Sequence, residues 1–139
     1  GYSYGGFMTF LATVKHPDLW KCGVAGAGVT DWGEMYELGD AIFKQFIEML
    51  FAGRRDLWKD RSAVNFIENL KAPLCILHPQ NDTRTPLKPV LKYCMKLLEH
   101  GKTFELHVVP DMGHMIVRVD DALKLLFPAI VFLDRHMKC

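Results

Sequence analysis

The chain has 139 residues, half of them apolar, and its 17 basic against 16 acidic side chains leave a formal charge of +1. That length suits one domain with a buried core. The near balance of charge gives no reason to expect a nucleic-acid or anionic-membrane partner. No apolar run approaches the roughly 20 residues that span a bilayer, and no secretory leader is visible at the N-terminus. The four cysteines, Cys22, Cys75, Cys94 and Cys139, form no CxxC pair and no zinc-like set. They read as buried free thiols of a reducing compartment, which points to the cytoplasm.

In chain order, residues 7–15 are apolar nearly all round and predict a buried central helix, ended by His16-Pro17. Residues 22–29 form a run of small residues of strand length. Asp40 is positioned to cap a helix over 41–52, with Ile42, Phe43, Phe46, Ile47 and Leu50 on one face and Gly53 just past its end. Residues 73–78 form a continuous apolar run that predicts a strand buried on both faces. Thr85-Pro86 reads as an N-cap followed by the first helical proline. Leu87, Val90, Leu91, Cys94 and Leu98 follow at helical spacing, and Gly101 closes that helix. Residues 104–109 predict the next strand. A last helix over about 118–136 carries Val119, Ala122, Leu123, Leu126, Ile130 and Leu133 at helical spacing, with Pro128 expected to kink or interrupt it. Alternating strands and helices predict an α/β fold of about three parallel strands with helices on both faces.

The chemistry concentrates in three places. Residues 1–6, GYSYGG, contain a G-x-S-x-G turn immediately before the first helix. Glycines around Ser3 permit a cramped turn that exposes its hydroxyl, and the N–H of Tyr4 is then a candidate oxyanion donor. A serine hydroxyl needs a base within reach and a group that orients the base. Asp82 follows the strand at 73–78, and His114 follows the strand at 104–109. The order Ser, acid, His at the carboxyl ends of parallel strands fits a hydrolase triad. Asp111, three residues before His114, is the rival acid. His78 ends the acid's strand and reads as a structural histidine.

Over nearly its whole length the sequence resembles the prolyl oligopeptidase family of serine peptidases, and most of all its acylaminoacyl-peptidase branch. The residues that carry the resemblance are GYSYGG at 1–6, HPQNDTRTP at 78–86 and PDMGH at 110–114. Thr30-Asp31-Trp32 with Tyr36, Lys71-Ala72-Pro73-Leu74 and Gly101-Lys102 add to it. The sequence departs from the family pattern at Pro79, where glycine is usual, at Thr85, where valine is usual, and at Ala63, where proline is frequent. Pro79 removes an N–H beside the acid loop.

The resemblance implies the C-terminal part of an α/β-hydrolase catalytic domain. It also implies a Ser3–His114–Asp82 triad that acts through an acyl-enzyme on short peptides, with release of an acylated or free N-terminal residue. No cofactor or metal is implied. The region of Trp32, Tyr36, Phe43, Phe46 and Phe51 would wall the pocket for the residue before the scissile bond, although the same residues could equally be core. Arg84 would bind a carbonyl or acidic group of the substrate, or be a surface arginine. Family members also carry an N-terminal β-propeller, earlier sheet strands and an upstream oxyanion loop, none of which lies in these residues. A sheet edge is therefore expected to pair with another strand, including that of a second copy. Two readings stay open beside the peptidase: a carboxylesterase on the same scaffold, and a fragment that is inactive without those strands.

Overall fold

A computed structural model describes residues 1–138; Cys139 lies outside the described residues. The elements are α1 (Tyr4–Lys15), β1 (Gly23–Gly26), α2 (Trp32–Leu38), α3 (Ala41–Phe51), β2 (Leu74–Pro79), α4 (Leu87–Glu99), β3 (Phe104–Val109) and α5 (Val119–Met137). Short 3₁₀ segments occupy Arg55–Leu57 and Ala63–Asn69. The strands form one sheet in the order β1-β2-β3, and both pairings are parallel. Every residue of β2 is buried, as its unbroken apolar run requires of a strand covered on both faces.

The pleat sends alternate residues of β2 to opposite sides. Leu74 and Ile76 meet Phe10 and Val14 of α1 and Val90, Tyr93 and Leu97 of α4. Cys75 and Leu77 meet Leu125, Ala129 and Phe132 of α5. Helices thus cover both faces of a three-stranded parallel sheet, as the sequence predicts. A third cluster joins Phe7 to Val29, Trp32, Met35, Phe43 and Ile47. The Asp31 carboxylate accepts from the Glu34 N–H at 3.1 Å and caps α2, a helix the sequence reading does not separate. Asp40 does the same for α3 through Phe43 at 2.8 Å.

Several boundaries and faces differ from expectation. β1 stops at Gly26 because Ala27 turns to φ 45°. Pro86 occupies the cap position of α4 with no side-chain cap bond, since the Thr85 hydroxyl is directed elsewhere. Ala52, in left-handed conformation, ends α3 one residue before Gly53. On α3, Phe43 and Ile47 are buried, while Ile42 and Leu50 face outward. On α4, Tyr93 and Leu97 point inward and Leu91 and Leu98 do not. α5 runs through Pro128 without interruption. Its expected stripe faces outward, and Leu125, Ala129 and Phe132 form the seated one. α5 is apolar on both sides, so spacing alone cannot choose between two stripes that both recur at helical intervals.

Cys22, Cys75 and Cys94 are free thiols. Burial pushes Cys75 up to about 11 and Cys94 up to about 12, which keeps both protonated. Among the described residues no helix is long and apolar enough to cross a membrane.

Candidate active site

Residues 1–3 run beside the outer edge of β1. The Gly26 N–H donates to the Gly1 carbonyl at 2.9 Å, and the Ser3 N–H donates to the Gly26 carbonyl at 2.8 Å. The chain then reverses into α1 through Ser3, which sits at φ 56°, ψ −116°. Such a conformation costs a non-glycine residue about 1–3 kcal/mol. The glycines make the turn feasible: a Cβ on Gly1 would lie 2.6 Å from the Gly5 carbonyl, and one on Gly6 would lie 2.4 Å from the Gly26 oxygen. Tyr4 opens α1. Its N–H is therefore one of the first-turn donors that no intrahelical carbonyl can satisfy, at the positive end of the helix dipole.

Asp82 lies in the loop after β2 with its side chain fully shielded from solvent. Its Oδ1 accepts from the backbone N–H groups of Arg84 at 3.0 Å and Thr85 at 2.8 Å. Its Oδ2 stands 3.0 Å from the Thr85 hydroxyl and 2.7 Å from His114 Nδ1. The loop bearing His114 follows β3 and is tied to the Asp82 loop by the Asn81 N–H donating to the Met112 carbonyl at 2.9 Å. The tight turn in that loop is made by Asp111 at φ 56° rather than by Gly113. Asp111 is exposed, and it is Asp82 that meets the imidazole. The Tyr2 hydroxyl donates to the His114 carbonyl at 2.8 Å. Burial, with the nearby Asp82 charge, raises the Tyr2 phenol well above its ordinary value, so it stays a donor.

The far side of the ring closes the chain of contacts: His114 Nε2 lies 2.9 Å from Ser3 Oγ. With Nδ1 protonated toward the carboxylate, Nε2 is left as an acceptor for the serine proton. Three residues separated by 79 and 32 positions in sequence are thus joined by two short hydrogen bonds, 2.9 and 2.7 Å. This arrangement can draw a proton from a hydroxyl and stabilise the resulting imidazolium. His78 is fully buried beneath it and donates from Nε2 to the Thr85 carbonyl at 2.6 Å. Its Nδ1 has no hydrogen-bond partner among the described residues, and burial pushes its pKa down, so the ring is neutral.

A cavity of about 560 Å³ opens beside Ser3 and is walled by Trp32, Ile42, Phe43, Phe46 and Ile116. Arg84 lines it too, with its Nε 3.7 Å from the Asp40 carboxylate. Tyr36 does not line it: its ring packs on Trp58 and its hydroxyl accepts from Arg55. Phe51 is likewise turned into the aromatic core against Trp32. The sequence reading missed Tyr2 and Thr85 at the polar centre and Met115-Ile116 on the wall. Their adjacency to Ser3, Asp82 and His114 is the signal that could have found them. Away from the cavity, Cys75, Glu105 and His107 bring ligand-type atoms within 4.8 Å of one another. Glu105 is occupied there by Arg135 and by His107, whose Nε2 is 3.1 Å away.

Comparison with known proteins identifies the family and the fold. The family model described as the prolyl oligopeptidase family, Peptidase_S9, matches residues 1–139. An uncharacterized peptidase of Bacillus subtilis, YuxL, is 30% identical over 144 residues, covering 99% of this chain and 22% of its own length. The human acylamino-acid-releasing enzyme is 24% identical over 146 residues, covering 99% and 20%. The acylaminoacyl peptidase of Pyrococcus horikoshii superposes with a TM-score of 0.86 at 26% identity, covering 99% of this chain and 23% of that one. The chain therefore spans about a fifth of the length of the curated relatives it matches. With the family matched from end to end and the fold shared, the chain belongs to the prolyl oligopeptidase family and carries part of an α/β-hydrolase fold.

Proposed function

We propose that the protein is a serine peptidase acting on short peptides, with Ser3 as nucleophile, His114 as base and Asp82 as the group that orients it. The observation that carries this reading is the unbroken contact from Ser3 Oγ through His114 to Asp82, at 2.9 and 2.7 Å. Ser3 Oγ attacks the carbonyl carbon as its proton passes to His114 Nε2. The tetrahedral oxygen is received by the Tyr4 N–H, and the imidazolium returns the proton to the leaving amine. Water, deprotonated by His114, then opens the acyl-enzyme and regenerates Ser3. The chemistry draws on no metal or cofactor. The aromatic and aliphatic wall of the cavity suits an apolar side chain before the scissile bond. Release of an acylated or free N-terminal residue is the outcome that the family relationship favours.

Reaction with a fluorophosphonate, followed by turnover of an acyl-amino-acid anilide and a short acyl ester, tests the reading. Ser3→Ala is expected to abolish labelling and to lower anilide turnover by about 10³- to 10⁶-fold. Labelling that survives Ser3→Ala would sink the assignment. Preference for the ester by several orders of magnitude would favour a carboxylesterase on the same scaffold.

A further inference from the structure

Thr85 holds a place that the triad itself does not account for. Its side chain is buried, with the residue 1% exposed. Its Oγ1 lies 3.0 Å from the Ala27 carbonyl, 3.0 Å from Asp82 Oδ2 and 3.2 Å from His114 Nδ1. One hydroxyl therefore touches the end of β1, the acid and the ring.

The register of the sheet explains why a hydroxyl is placed there. The Ala27 N–H donates to the Leu77 carbonyl at 2.8 Å. In a parallel ladder the next bond runs from the N–H of residue 79 back to the Ala27 carbonyl. Residue 79 is proline and has no N–H to give. A buried carbonyl without a donor is costly, and the donor that reaches Ala27 is the Thr85 hydroxyl. That hydroxyl has a single proton and two acceptors at equal distance. The hydroxyl shares that proton by rotation: toward Ala27 it closes the strand end, and toward the ionised carboxylate, the stronger acceptor, it holds Asp82.

We infer that Thr85 is a positioning residue: its hydroxyl holds Asp82 Oδ2 in line with His114 Nδ1 while covering the strand end that Pro79 leaves open. The inference rests on the triad reading above. With Oδ1 taken by two backbone N–H groups, Oδ2 has, among the described residues, only the Thr85 hydroxyl and the ring as hydrogen-bond partners. Removing the hydroxyl leaves the carboxylate free to rock about its Oδ1 anchors and the ring free to turn from Ser3.

The test uses the protein as it occurs naturally and compares Thr85→Val, Thr85→Ser and the double change Thr85→Val with Pro79→Gly. Thr85→Val keeps the shape and is expected to lower kcat by roughly 10- to 100-fold, the scale of a hydrogen bond to a charged group, with KM within twofold. Thr85→Ser restores the hydroxyl and is expected to return kcat to within about threefold of the parent. The double change supplies an N–H to Ala27 and nothing to Asp82. It should recover the melting temperature and leave kcat low. Recovery of kcat in the double variant would overturn the inference, because Thr85 would then serve only the strand end. So would a Thr85→Val protein with kcat within twofold of the parent.

A second readout does not depend on turnover. The low-field Nδ1–H proton resonance of His114 should exchange slowly in the parent and in Thr85→Ser, and at least tenfold faster in Thr85→Val. An unchanged exchange rate would also overturn the inference. Failure of the triad reading looks different: labelling persists in Ser3→Ala whatever stands at residue 85.

Discussion

α1 and α5 lie on opposite faces of one sheet and are both apolar round most of their circumference, yet only α1 is enclosed. Phe10 and Val14 of α1 enter the cluster shared with β2 and α4, while its Phe7 enters a second cluster with Trp32 and Phe43. α5 has the sheet on one side alone. Its Leu126, Phe127, Ile130 and Val131 stay more than half exposed. Burial of an apolar helix is set by how many elements stack upon it, not by its own composition. The difference has a functional side, because α1 begins one residue after Ser3. Enclosing α1 on two sides fixes the turn that bears the hydroxyl, whereas α5 closes the back of the sheet.

The largest effect that follows lies within α5 itself. Phe132, 1% exposed against the sheet, and Phe127, 63% exposed, are the same residue type on two sides of one helix. Phe132→Ala should cost about 3–5 kcal/mol of unfolding free energy in urea titration. Phe127→Ala should stay within about 0.5 kcal/mol. Comparable losses at the two positions would break the contrast, since the outward stripe would then be contributing as a core does.

A second pair sharpens the other half of the comparison. A Cβ on Gly6 would meet the Gly26 oxygen at 2.4 Å and the Gly28 Cα at 2.9 Å, both backbone atoms that cannot swing aside. A Cβ on Gly5 would meet nothing within 4 Å. Gly6→Ala is expected to destabilise by about 1–3 kcal/mol and to slow fluorophosphonate labelling as α1 lifts from β1. Gly5→Ala should be neutral or gain up to about 1 kcal/mol from helix propensity. Unchanged labelling in Gly6→Ala would show that Ser3 does not depend on the seating of α1.

What could be read in advance follows the same division. β2 was legible because PLCILH is apolar without a break and only a central strand buries such a run. The places of Asp82 and His114 were legible because each follows a strand of clear pattern, and that of Ser3 because a glycine turn stands before an apolar helix. Faces were legible only where one side of a helix is polar. α4 and α5 carry leucines on several sides, so Leu98 and Leu126 were placed inward and lie outward. Thr85 looked like a helix cap because threonine before proline usually is one. Only the register of β1 on β2 shows that an unpaired Ala27 carbonyl claims its hydroxyl. Tyr36 looked like pocket wall from its neighbours in sequence, but Trp58, 22 residues on, draws it away.

The smallest effect concerns a pair of strands rather than helices, and it contrasts an enclosed histidine with a half-open one. His78 on central β2 is fully buried, whereas His107 on edge β3 is partly exposed. Burial lowers the pKa of His78 below its ordinary value, with the bond to the Thr85 carbonyl opposing part of that shift. Between the depressed folded pKa and the unfolded value near 6.5, the unfolded chain binds a proton that the folded chain refuses. Stability therefore rises with pH through that window and falls as pH drops below about 6.5, by at most about 1.4 kcal/mol per pH unit from this one group. Urea unfolding at pH 7.5, 6.5 and 5.5 should show the decline, and His78→Gln, which keeps a donor for Thr85 and cannot titrate there, should flatten it. An equal slope in parent and variant would assign the acid sensitivity to other groups and show that the floor beneath the Asp82 loop does not resist protonation.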